Sequence, residues 1–238
     1  MDAVPLTAVV TGAAGAIGRE VAQLLLADEW DVVGIDVNAG SECDVQWVEA
    51  DVSDVGALAE TADSLGSVDL LVNTHAVWPP GTPAITIKDD QWKALVGSNL
   101  KGTFLSCRAF YPNLLQARGT VVNLASTTAH QAFLDHAHYC AVNRAIVGLT
   151  EVLALEWSSG GIRVFALGLG PVRTSALESA WEENPGREKE VLSVLPQGRL
   201  PHPKEVARAI LGLTDDRFAY LNGTSVVLDG GLAAAGGY

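Results

Sequence analysis

Apolar runs of four to six residues alternate along the chain with longer segments of helical period. Leu6 to Val10 reads as a buried strand. It ends in the small-residue turn Thr11-Gly12-Ala13-Ala14-Gly15-Ala16-Ile17-Gly18, and Ile17, Val21, Leu24 and Leu25 then repeat at helical spacing. Further strands are expected over Trp30 to Asp36, Gln46 to Ala50, Val68 to Asn73, Gly119 to Ala125, Ile162 to Leu167 and Ser225 to Leu228. Helices are expected from Asp54 to about Leu65, from about Lys88 to Val96, from Leu100 to Leu115, from Ala137 to Trp157 and from Lys204 to Leu213. The polar, proline-containing stretch 175–203 reads as a substrate lid with a mobile helix. The strands are apolar without alternation, as when both faces of a sheet are covered. The pattern predicts one α/β domain over 1–238, a doubly wound, Rossmann-type parallel sheet of about seven strands.

The length of 238 residues suits one such domain. A net charge of -13 argues against a nucleic-acid or membrane-surface partner, either of which calls for a basic face. Cys43, Cys107 and Cys140 are far apart, with no C-x-x-C, so neither a disulfide framework nor a metal site is expected. No signal peptide and no membrane-length apolar run is seen, and a reducing cytoplasm fits.

A strand, a glycine turn and a helix in that order suit a nucleotide diphosphate. Backbone approaches the pyrophosphate at the turn, and the helix N-terminus offers free N–H groups. Asp36 follows Gly18 by eighteen residues, at the end of the second strand. A carboxylate there accepts from both hydroxyls of an adenosine ribose and repels a 2′-phosphate, which favours NAD over NADP. The other reading of Asp36 is a turn former before Val37-Asn38-Ala39-Gly40. Asp51-Val52 is placed at the adenine edge or in a helix cap.

These segments together resemble the short-chain dehydrogenase/reductase family. Gly12, Gly15 and Gly18 resemble its T-G-x-x-x-G-x-G turn, with Ala16 at the middle glycine and Ile17 beside it. Leu70-Leu71-Val72-Asn73 resembles the start of its L-V-N-N-A-G segment, and Asn99 its helix-borne catalytic asparagine. Ser126 ends a strand like the one that carries the family's catalytic serine, and Tyr139 follows at the family interval of thirteen residues. Gly170-Pro171-Val172-Arg173-Thr174 resembles the segment lining the nicotinamide, with Leu169 where proline is common. The resemblance implies an NAD(H)-dependent oxidoreductase interconverting a secondary alcohol and a ketone on a small molecule. Ser126 would polarise the substrate oxygen and Tyr139 would be the general acid/base. It also implies a homo-oligomer, tetramer or dimer, built on the helix that carries Tyr139.

The family's Tyr-x-x-x-Lys departs here to Tyr139-Cys140-Ala141-Val142-Asn143. Asn143 shares the helix face of Tyr139 and can bond the nicotinamide ribose, but it supplies no positive charge. Tyr139 is therefore expected to stay neutral at pH 7. Arg144 points well away from it. His75 stands where the family has a small residue, as a pocket wall, a proton relay or a substitute cation. His136 and His138 flank Tyr139 as loop residues or substrate contacts. Trp78, Phe133, Leu177 and Trp181 are candidates for an apolar substrate wall. Because of Asn143, a cofactor-binding protein and a non-redox enzyme on the same fold remain open readings.

Overall fold

A computed structural model of the chain describes residues 4–40, 44–183 and 186–236. Cys43 and the first residues of the chain lie outside this set. Seven strands form one parallel sheet: β1 (Thr7–Thr11), β2 (Asp31–Asp36), β3 (Gln46–Glu49), β4 (Leu70–Asn73), β5 (Thr120–Ser126), β6 (Arg163–Leu169) and β7 (Ser225–Leu228). Their order is β3-β2-β1-β4-β5-β6-β7. The order reverses between β1 and β4, and in such sheets ligands bind outside the strand C-termini at that reversal.

Among the described residues, eight α-helices cover the sheet: α1 (Ala16–Ala27), α2 (Val55–Ser64), α3 (Asp89–Leu95), α4 (Gly102–Ala117), α5 (Ala137–Trp157), α6 (Ser175–Glu183), α7 (Arg187–Val194) and α8 (Pro203–Gly212). Successive strand residues point to opposite faces, so each strand feeds two cores. Ala8, Val10, Leu70 and Val72 pack with Val21 and Leu25 of α1 and Val206 and Ile210 of α8. Val9, Leu71 and Val121 pack with Leu58 of α2, Phe110 and Leu114 of α4, and Leu153 of α5. Each large apolar side chain buried this way contributes about 1.5–3 kcal/mol. That is why Ala8–Val10, Leu70–Val72 and Val121–Val122 are apolar without alternation.

The doubly wound parallel sheet expected from the pattern is the one observed, with element ends shifted by one or two residues. Two differences matter for function. The helices expected over 88–96 and 100–115 run on through a π-helical turn, Val96–Lys101, which carries Asn99. A π turn inside a helix displaces its side chains from the ordinary face. The lid stretch holds two helices, α6 and α7, and an apolar cluster of its own. Trp181, Val191, Leu195, Leu200 and Leu232 form that cluster, with Phe133 and Leu177 packed against it. Three of the four residues expected to wall the substrate therefore hold the lid together, and Trp78 lies elsewhere.

Candidate functional site

The turn after β1 is built by close backbone approach. Gly12 has φ +70°, and a Cβ there would sit 2.6 Å from the His75 backbone nitrogen. A Cβ on Gly18 would run into the Gly12 carbonyl. The Gly12 carbonyl accepts from Gly15 N–H at 3.0 Å. Gly15 is the N-cap of α1 with no side-chain cap, and the first helical turn holds no acidic residue. The N–H groups from Ala16 to Gly18 thus face the turn without a protein anion. Ala16 is not among the positive-φ residues, so nothing in this backbone requires the glycine that Ala16 replaces.

The Asp36 carboxylate lies across this turn. One oxygen accepts from Ala14 N–H at 3.0 Å and the other from Asn38 N–H at 3.2 Å. The turn role and an acceptor role toward a ribose coexist, since a carboxylate has about four acceptor positions. Asp51 accepts from Ser53 N–H at 2.7 Å, and that bond chiefly holds its carboxyl below the ordinary value. The cap of α2 is Asp54, which accepts from Gly56 and Ala57. Val52 is buried, and its Cγ2 would be 2.6 Å from a Cβ on Gly102. Gly102 thus lets α4 approach Val52 and His75 closely, a contact for which the sequence pattern carries little signal. Its only signal is its place three residues after Asn99.

A buried polar chain ties β1, β4 and β5 together behind the turn. Thr11 Oγ1 donates to Asn73 Oδ1 at 3.1 Å, Asn73 Nδ2 to Asn123 Oδ1 at 2.8 Å, and Asn123 Nδ2 to Thr150 Oγ1 at 3.0 Å. His75 Nδ1 lies 2.6 Å from Thr11 Oγ1. The other ring nitrogen, Nε2, lies 3.4 Å from Thr103 Oγ1, so the ring is held between two hydroxyls. Burial pushes the His75 pKa down to about 4, with Asp51 and Asp36 pulling weakly the other way. The ring is neutral at pH 7 and packs toward Gly102, where a Cβ would lie 3.0 Å from Nε2. A neutral ring is not the substitute cation that the sequence left open for His75.

Ser126 ends β5, and its Oγ accepts from Thr128 N–H at 3.2 Å. That leaves the hydroxyl proton to donate. Tyr139, in the first turn of α5, is 8% exposed. Burial raises its pKa above the ordinary phenol range, and hydrogen bonding to Asn143 and Ser126 pulls less strongly downward. None of the groups that shift it is a cation. Asn143 is buried and donates from Nδ2 to the Tyr139 carbonyl at 2.9 Å. Asn99, carried by the π turn, bonds to the loop after β4. Its Oδ1 accepts from Val77 N–H at 2.8 Å and its Nδ2 donates to the Val77 carbonyl at 3.0 Å. It therefore acts on the loop after β4, a role its spacing did not disclose. Val172 is packed in the core, and its carbonyl accepts from Thr174 N–H at 2.8 Å. Thr174 Oγ1 accepts from Leu177 N–H at 3.3 Å, so it caps the start of α6.

Comparison with known proteins places this arrangement. Residues 12–233 match the family described as enoyl-(acyl carrier protein) reductase. The chain is 34% identical to D-threitol dehydrogenase of Mycolicibacterium smegmatis, covering 94% of this chain and 91% of that one. It is 31% identical to 2,5-dichloro-2,5-cyclohexadiene-1,4-diol dehydrogenase of Sphingobium indicum, covering 96% and 97%. A solved oxidoreductase of the short-chain dehydrogenase/reductase family from Burkholderia thailandensis superposes with a TM-score of 0.89 at 26% identity, covering 98% and 94%. With its sheet, its glycine turn and these relatives, the chain belongs to the short-chain dehydrogenase/reductase family of oxidoreductases.

Proposed function

We propose that the protein is an NAD(H)-dependent oxidoreductase that interconverts a secondary alcohol and a ketone on a small hydroxylated substrate. The observation that carries the reading is the Asp36 carboxylate at the end of β2, spread over a glycine turn that side chains would fill. Gly12, Gly15, Ala16, Ile17 and Gly18 would hold the pyrophosphate, and Asp36 the adenosine ribose. Asp51, Val52, Asn73 and His75 would wall the adenosine side, and Asn143, Val172 and Thr174 the nicotinamide side. When bound, the nicotinamide supplies hydride exchange at the reacting carbon. In reduction the Tyr139 hydroxyl passes its proton to the carbonyl oxygen, and in oxidation it takes the proton back. The Ser126 hydroxyl donates to the same oxygen and positions it. Asn99 acts one step away, through the loop it clamps.

The substrate class follows the relatives. They include the threitol and cyclohexadienediol dehydrogenases and a meso-2,3-butanediol dehydrogenase of Serratia marcescens, 29% identical over 96% of this chain. Each is named for an alcohol with a second hydroxyl. Helices α6 and α7 would carry the substrate lid of the single domain. Val152 and Leu155 on the outer face of α5 are exposed in the isolated chain, which supports burial against a second copy in a homo-oligomer. Among the described residues no helix is long and apolar enough to cross a membrane. The acidic chain suits a cytoplasmic enzyme with no nucleic-acid partner.

A fluorescence titration with NADH, with NADPH as control, tests the cofactor assignment. Saturable NADH binding with NADPH much weaker is expected. Saturable binding of neither, or tighter NADPH, contradicts it. One observation favours a second reading, a cofactor-binding protein with little redox turnover: the Asn143 amide is turned onto its own helix. NADH binding without oxidation of any diol would select that reading.

A further inference from the structure

The Tyr139 ring has an aromatic neighbour that the reaction itself does not require. Trp78 meets it edge to face, with centroids 4.7 Å apart and planes at 69°. The His136 ring lies 5.4 Å from Trp78 and 6.4 Å from Tyr139. Trp78 is nevertheless 63% exposed, so much of its indole stays open beside the reacting hydroxyl. An exposed tryptophan is ordinarily free to wander, but this one is held from both sides. Asn99 grips the backbone of Val77, the residue before it. Thr82 N–H donates to the Asp135 carbonyl at 2.7 Å, which ties the far end of the loop to the segment leading into α5. His136 is fixed as well. Its Nδ1 lies 2.8 Å from the Leu134 carbonyl, which only accepts, so Nδ1 donates there and the ring is oriented with Nε2 left for another partner.

A fixed, open indole face beside a proton-transferring hydroxyl suits a flat C–H surface better than a flexible chain. An apolar ring face desolvates the indole without losing rotational freedom of its own. The adjacent His136 Nε2 offers a hydrogen-bond partner for a hydroxyl next to the reacting one. We propose that Trp78, braced by His136, is a specificity-determining residue of this site, and that it selects cyclic vicinal diols over acyclic ones. The inference rests on the alcohol-oxidising reading above and names its substrate class.

The test compares kcat/KM for cis-1,2-cyclohexanediol and for 2,3-butanediol, with NAD+, in wild type, W78F and W78A. Wild type should favour the ring diol. W78A should lose about tenfold of that preference, carried by KM rather than kcat, and W78F should keep most of it. A preference unchanged in W78A, or a wild type that favours the acyclic diol, overturns the proposal. If wild type oxidises neither diol, the alcohol-oxidising reading fails separately. Calorimetric titration of the ring diol into NADH-saturated protein then decides on Trp78. Weaker binding by W78A than by wild type supports it, and equal or absent binding overturns it.

Discussion

The two halves of the sheet treat their signature residues differently. On the β1–α1–β2 side, the family's turn survives one substitution without strain. Ala16 opens a helix where glycine has no special use, and both Asp36 oxygens have backbone donors. On the β5–α5 side, Asn143 follows Tyr139 by four residues, carries no charge, and bonds inward through its amide to the Tyr139 carbonyl. A backbone cradle tolerates changes in side chain because its work is done by N–H groups and by space. A site whose proton chemistry is tuned by charge responds to each side chain beside it. The buried His75 ring is neutral at pH 7.

The contrast can be broken at either end. Tyr139→Phe should lower kcat by about 10²–10⁴-fold while leaving NADH affinity nearly intact, as steady-state rates and a titration would show. An equal loss of binding would mean that the two halves are not separable. Asp36→Ala should weaken NADH by roughly ten- to hundredfold and shrink the preference over NADPH, since hydrogen bonds to a charged group are lost. Its cost should fall on binding and not on turnover at saturating cofactor. Asn143→Lys should raise oxidation at pH 7 by about tenfold, because a nearby cation lowers a phenol pKa by about one to three units. A loss of activity instead would show that the pocket has adapted to the amide.

A smaller effect concerns stability. The His75 pKa falls from 6.5 unfolded to about 4 folded, so between these values the unfolded chain binds more protons than the folded one. Stability is therefore full above about pH 6.5 and declines as pH falls toward 4, by about 3 kcal/mol. Thermal melts of wild type and His75→Gln across that window should converge at the acid end. Parallel curves would remove His75 from the account.

The sheet was legible because apolar runs and glycine turns are local signals, and the strand ends moved by no more than two residues. The juxtaposition of Ser126 and Tyr139 was legible through their spacing. Asn99 was located but its work was not, because its hydrogen bonds go to Val77, twenty-two residues earlier in the chain. The π turn that aims it has no signature in residue periodicity. Phe133, Leu177 and Trp181 read as a substrate wall because an apolar lid core and an apolar pocket have the same composition. Only packing tells them apart. The placement of the His75 ring depends on contacts with Thr11 and Thr103 and on the bond chain through Asn73 and Asn123, which no single segment contains.

The central claim is that Tyr139 works here as a neutral acid without a cation beside it. Its ionisation can be followed directly, without a substrate, by ultraviolet titration of wild type against Tyr139→Phe. The chain has four tyrosines, so the difference isolates the one that matters. The account predicts that the tyrosinate signal lost in the variant appears only above pH 10, beyond the ordinary phenol value of 10.0. A tyrosinate lost in the variant and already present near pH 7 would contradict it.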